Sequence, residues 1–81
     1  DYDIYVVAEG TFQKTFSAGD EVSLVPFTSE VHISVTKGLM YPLKDEVLYA
    51  SKTRGISNVV TDGDIEVGIA KGVAFLFRIY K

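Results

Sequence analysis

One imidazole restricts the proton chemistry open to this chain. His32, the only histidine in 81 residues, lies in Val31-His32-Ile33-Ser34-Val35. Alternation turns it away from Val31, Ile33 and Val35 and puts Ser34 on its own face, two residues along. A hydrolytic Ser-His pair also needs a group to orient the base and donors for an oxyanion. Neither accompanies it, so the pair reads as strand surface and no catalytic residue is assigned. The turn Asp62-Gly63-Asp64, followed by Glu66, offers oxygens of the kind calcium takes. It lacks the further spaced acids of a calcium loop, and Asp and Gly are what a hairpin reversal demands. With no Cys and a single His, thiolate and multi-imidazole sites are excluded, so neither metal nor cofactor is expected. Gly63, Gly68 and Gly72 fall in a hairpin pattern, not between a strand and a helix, and make no phosphate cradle. Asn58 is followed by Val59-Val60 and is no glycosylation acceptor. What remains is aromatic: Tyr2, Tyr5, Tyr41, Tyr49 and Tyr80 could stack on a sugar ring, though Trp is absent and no aromatic cluster stands in sequence.

The elements that would position these residues are strands. Val, Ile, Thr, Tyr and Phe outnumber the strong helix formers, and apolar residues repeat at every second position in Phe12-Lys14-Phe16, Val22-Leu24, Val31-Ile33-Val35, Ile65-Val67-Ile69 and Val73-Phe75-Phe77-Ile79. Glu9-Gly10, Ala18-Gly19-Asp20, Lys37-Gly38, Arg54-Gly55, Asp62-Gly63-Asp64 and Lys71-Gly72 punctuate them as reversals. The pattern predicts strands near 2–8, 11–17, 21–25, 31–36, 46–51, 56–61, 64–70 and 73–80, with a loop over Pro26 to Glu30 and a meander of hairpins. One short helix near 42–50 is the alternative there, because Pro42 could open it, acids follow in its first turn, and Leu43 stands four residues before Val47. The fold class expected is all-β: one small domain over residues 1–81, a barrel, tulip or sandwich of seven or eight short antiparallel strands.

Composition narrows the partners. A hydrophobic content of 47% is too high for a disordered chain, and a net charge of −3 leaves no surplus for a polyphosphate, so nucleic acid is not expected. The longest apolar runs, Ile4 to Ala8 and Val73 to Phe77, fall far short of the roughly 20 residues of a spanning helix, and no membrane is expected. The sequence opens on Asp1 and its sole Met is Met40, as in a processed product, a trimmed chain or the ordered part of something longer. The two end strands are apolar on both faces, whereas a core this small stabilises by only about 3–5 kcal/mol without staples or association. Association is therefore expected, through Ile4, Val6, Leu76 and Arg78, the alternative being that either strand is central to a sandwich or barrel with its second face under a loop. If Val73, Phe75, Phe77 and Ile79 point into the core, Leu76 becomes an outward anchor and Arg78 a partner for a carboxylate on another chain.

Lys44-Asp45-Glu46-Val47-Leu48-Tyr49, then Ile56 to Thr61, then Ile65-Glu66-Val67-Gly68-Ile69-Ala70 and an apolar closing strand resemble, over residues 44–81, the capsid-decoration proteins of tailed phages. Glu9-Gly10-Thr11-Phe12 resembles an earlier strand of that family, while Lys44 stands where Gly is usual. The Lys44 to Tyr49 strand is also similar to one in co-chaperonin ring subunits. The capsid-decoration resemblance implies a non-enzymatic bacteriophage structural protein on the outer surface of the virion. Such a protein is a homotrimer or other homo-oligomer that docks on the major capsid protein lattice by protein–protein contact. The alternative expectation is a secreted or fibre-borne extracellular module that recognises glycan or protein, with Tyr41 in the glycan contact.

Overall fold

The computed structural model describes residues 1–52 and 56–81. Eight strands follow one another: β1 Tyr2–Val7, β2 Gly10–Thr15, β3 Glu21–Pro26, β4 Glu30–Lys37, β5 Lys44–Tyr49, β6 Ile56–Val59, β7 Asp64–Lys71 and β8 Ala74–Ile79. They form two four-stranded sheets, β1-β8-β3-β6 and β2-β7-β4-β5, with every pairing antiparallel. The all-β class and the eight strands are those expected from alternation. No helix occurs among the described residues. Where a helix was the alternative, Lys44–Tyr49 pairs with β4 instead, setting Leu48 opposite Val31 in the core. A ladder that buries Leu48 outweighs the single i to i+4 contact a helix would offer. The turn expected at Arg54-Gly55 lies outside the described residues.

The meander is corrected. Only β4 and β5 are both consecutive in the chain and paired in one sheet; elsewhere consecutive strands change sheets. The Gly-bearing turns are therefore mostly corners of a sandwich. Gly72, between β7 and β8, shows why: its φ is +94°, and a Cβ there would lie 2.3 Å from the Glu30 carbonyl oxygen.

The core lies between the sheets. Val22, Leu24, Ala74 and Leu76 from the first meet Val31, Ile33, Val67 and Ile69 from the second, all buried. Tyr5 bridges the layers, its ring 5.5 Å from that of Phe12 and 5.6 Å from that of Phe16. Here the expected facing of β8 is reversed. Leu76 is 0% exposed, aligned between Tyr5 of β1 and Leu24 of β3, so it is a core residue and not an outward anchor. Arg78 shares that inward row and finds its carboxylate within the same chain, at Asp20. Phe75 and Phe77 turn outward, Phe75 in a T-shaped pair with Phe27 at 5.2 Å and Phe77 tilted against Tyr2 at 6.3 Å, beside exposed Ile4 and Val6. Alternation defines two sets of side chains in β8; the facing sheet determines which set is enclosed.

Candidate functional site

Between β4 and β5 the chain runs through Gly38-Leu39-Met40-Tyr41-Pro42-Leu43, and backbone clamps hold that segment in one shape. At its base Thr36 and Leu43 close on each other: the Thr36 N–H donates to the Leu43 carbonyl at 3.0 Å, and the Leu43 N–H donates to Thr36 Oγ1 at 2.9 Å. Gly38 makes the departure from β4 with φ +79°, where a Cβ would lie 2.0 Å from the Asp64 carbonyl oxygen; only glycine fits. Leu39 bridges Val60, the Met40 N–H donates to the Val59 carbonyl at 2.9 Å, and the Thr61 N–H donates to the Gly38 carbonyl at 2.9 Å.

Asn58 supplies the side-chain clamp. It is 3% exposed, on the inward row of β6. Its Oδ1 accepts from the Tyr41 N–H at 2.9 Å and its Nδ2 donates to the Tyr41 carbonyl at 2.6 Å. Oδ1 also accepts from the Val59 N–H at 3.0 Å. A buried primary amide is tolerated when its donors and acceptors are used in this way. The result is a fixed backbone from which Met40 and Tyr41 project, 51% and 62% exposed. An aromatic side chain held out on an immobilised loop is suited to stacking on a flat ligand ring, since little ordering entropy is then left to lose on binding.

A second polar cluster flanks β6 from the other side. Asp20 is 1% exposed; its carboxylate accepts from Arg78 Nε at 2.7 Å, from the Lys81 N–H at 3.0 Å and from the Ser17 N–H at 3.1 Å. The Arg78 guanidinium lies between aromatic rings, 4.5 Å from the centroid of Phe16 and 4.2 Å from that of Tyr80, in cation–π contact with both. The Tyr80 hydroxyl donates to Asp3. The Lys81 N–H, with Arg78 and Ser17 in support and against the opposing effect of burial, holds the Asp20 carboxyl below its ordinary pKa. The hydrogen bond to Asp3, aided by burial, raises that of Tyr80.

Other residues of interest stay apart. His32 Nε2 lies 2.8 Å from Glu30 Oε1, and Lys71 Nζ lies 3.7 Å from the same oxygen; the His32 hydrogen bond and the Lys71 charge hold the Glu30 carboxyl below its ordinary pKa. His32 and Ser34 line a depression of about 160 Å³ on the outer face of the second sheet. A larger one of about 380 Å³ runs past Gln13, Thr15, Lys37, Asp64 and Glu66. Its polar groups already meet across the strands, Gln13 to Glu66, Thr15 to Asp64 and Lys37 to Glu66, and no aromatic side chain lines it. Among the described residues no group of three or more His, Asp or Glu could hold a metal. Of the five tyrosines, Tyr5 packs in the core, while Tyr41 is the one presented by the clamped loop. Asn58 went unrecognised in the sequence; its signal is a lone amide in the otherwise apolar alternating set Ile56, Asn58, Val60.

The fold is a two-sheet β sandwich that presents an aromatic side chain on a locked edge loop. The model of the thiamin pyrophosphokinase vitamin B1 binding domain matches residues 9–74, and the chain belongs to that family. The structure is similar to thiamin pyrophosphokinase from Geobacillus thermodenitrificans, with a TM-score of 0.89 at 22% identity, and to thiamine pyrophosphokinase from Bacillus subtilis, with 0.84 at 21%. It is also similar to a protein from Lactobacillus plantarum, with 0.75 at 17%. Each comparison covers 99% of this chain, which spans 38% of the other. No curated protein matches the chain.

Family membership overturns the resemblance to capsid-decoration proteins. With it fall the bacteriophage structural role, the capsid lattice it implied as partner, the virion location and its extracellular alternative, and the glycan module. The non-enzymatic reading is corrected too, because the family is defined as a domain of a pyrophosphokinase. The strands that carried the resemblance are real, but alternating strands separated by Gly turns are common to many β folds and do not identify a ligand.

Proposed function

We propose that residues 1–81 act as one β unit, the thiamin-holding part of a thiamin pyrophosphokinase, with Gly38–Leu43 as the contact loop. The observation that carries this reading is the Asn58 amide clamp on the Tyr41 backbone, which fixes an exposed aromatic side chain within the stretch matched by the family model. Thiamin joins a flat aminopyrimidine to a cationic thiazolium ring. Both suit an aromatic face, the first by stacking and the second by cation–π attraction. The net charge of −3 favours a cation over an anion in the approach. Holding the rings on a rigid loop would set the vitamin's hydroxyl in one place, so that transfer of a pyrophosphoryl group proceeds from an oriented complex. On this reading the phosphoryl donor is bound elsewhere in the enzyme, since no phosphate-cradling loop occurs in the sequence.

Titration calorimetry of the chain with thiamin tests this. Saturable binding is expected, weakened about tenfold by Tyr41→Ala through loss of stacking, with the melting temperature unchanged because the side chain is exposed. Absence of binding both in this chain and in a longer enzyme containing it, or equal affinity in Tyr41→Ala, would overturn the assignment.

A further inference from the structure

The loop that presents Tyr41 has one support with no obvious reason to be charged. β6 and the two residues after it run between two partners. On one side Leu39, Met40 and Gly38 bond to Val60, Val59 and Thr61. On the other, the Val60 N–H donates to the Asp20 carbonyl at 2.8 Å and the Gly19 N–H donates to the Val60 carbonyl at 2.8 Å. Asp20 therefore holds Val60 with its backbone while its buried carboxylate is held by Arg78, Lys81 and Ser17. Arg78 is itself fixed between Phe16 and Tyr80. A continuous path leads from a locked ion pair at the end of β8, through Asp20 and Val60, to the backbone of Met40 and Tyr41.

A buried ion pair is seldom the most stabilising way to fill a space, since desolvation offsets most of its attraction. What it does provide is a single geometry. We propose that Asp20 and Arg78 are positioning residues for thiamin: their ion pair sets the height of Val60 and so the place at which the Gly38–Leu43 loop presents Tyr41. This rests on the thiamin reading for its ligand, but the mechanical link is a property of the backbone alone. Neither residue touches the ligand; they act through Val60.

Three variants of the 81-residue chain separate positioning from mere stability. Asp20→Asn keeps the shape and loses the charge. Arg78→Lys keeps the charge and loses the Nε fork that reaches Asp20. Ile69→Ala removes core volume where β7 meets Gly10 and Ile33, at the end of β7 remote from the Asp64 carbonyl under Gly38. Each is titrated with thiamin, and amide hydrogen exchange is followed at Met40 and Thr61, corrected for global stability. Asp20→Asn and Arg78→Lys are expected to weaken thiamin roughly tenfold and to speed exchange at both amides. Ile69→Ala should lower the melting temperature and leave affinity and corrected exchange as in the parent. Should Asp20→Asn fail to fold, Arg78→Lys decides. Unchanged exchange in the pair variants, unchanged thiamin affinity alongside faster exchange, or the same losses in Ile69→Ala would each overturn the positioning role. If neither the parent chain nor a longer enzyme containing it binds thiamin while exchange responds as expected, the thiamin reading falls and the mechanical link stands.

Discussion

The two faces of the sheet β1-β8-β3-β6 both mix apolar and polar side chains. Its inward side carries Leu24 and Leu76, but also Asp3, Arg78 and Asn58. Its outward side carries Tyr2, Ile4, Val6, Phe75 and Phe77, with Ile4 and Val6 among the exposed residues. Large apolar side chains stand on both faces, so their presence in β1 and β8 alone does not decide which face is enclosed. The inward polar groups are tolerated because their hydrogen bonds are made: Asp20 takes three N–H donors and Asn58 makes three bonds to Tyr41 and Val59. No buried side-chain nitrogen or oxygen among the described residues lacks a partner. Polarity on the inward side is used to pin backbone, and the apolar core beside it holds the layers together.

The sharpest way to break this contrast is within β8. Leu76→Ala should cost about 2–5 kcal/mol in denaturant unfolding through lost burial and a residual cavity. Phe77→Ala, from a half-buried outward position, should cost about 1 kcal/mol. If the two exchange order, the facing of the sheet is wrong. Asn58→Ala comes next: it leaves the Tyr41 N–H and carbonyl without their partner, for a loss of about 1–3 kcal/mol and a loss of thiamin affinity no larger than Tyr41→Ala causes.

Acid titration examines the charged inward group. Asp20 titrates lower in the folded chain than in the unfolded one, so as pH falls the unfolded state takes up its proton first. The stability this provides is complete above the ordinary carboxylate value of about 4 and is lost as pH drops through the folded value. Tyr80 behaves in the opposite sense. Its pKa is raised, so its share is present below about 10 and is lost as pH climbs through the folded value. Melting temperatures across pH for the parent and Asp20→Asn should converge on the acid side. Parallel curves there would remove Asp20 from the account. The smallest effect is expected outside: Ile4→Ser should change the stability of the dilute chain by no more than about 0.5 kcal/mol, and a larger cost would make that face part of the core.

Most of the secondary structure was legible in the sequence. The alternations Val31-Ile33 and Ile65-Val67-Ile69 mark strands with one face enclosed, and Gly turns mark their ends, because both are consequences of neighbouring residues. Tyr41 stood out in the sequence only as one of five tyrosines able to stack on a ring and as the contact in a glycan reading that the family match overturns. Asn58 was harder to see. A buried amide looks in sequence like any polar residue at a strand end, and its partner Tyr41 is 17 residues away.

By itself the sequence determined an all-β chain and eight strands close to their final bounds, since periodicity and turn chemistry act over a few residues. Only the tertiary structure decided that consecutive strands change sheets, that Leu76 faces in while Phe77 faces out, and that Arg78 pairs with Asp20. That last contact joins residues 58 apart in the chain. The pleat offers two equivalent faces to every strand, and the choice between them depends on packing against a sheet whose strands are distant in sequence, which no local pattern encodes.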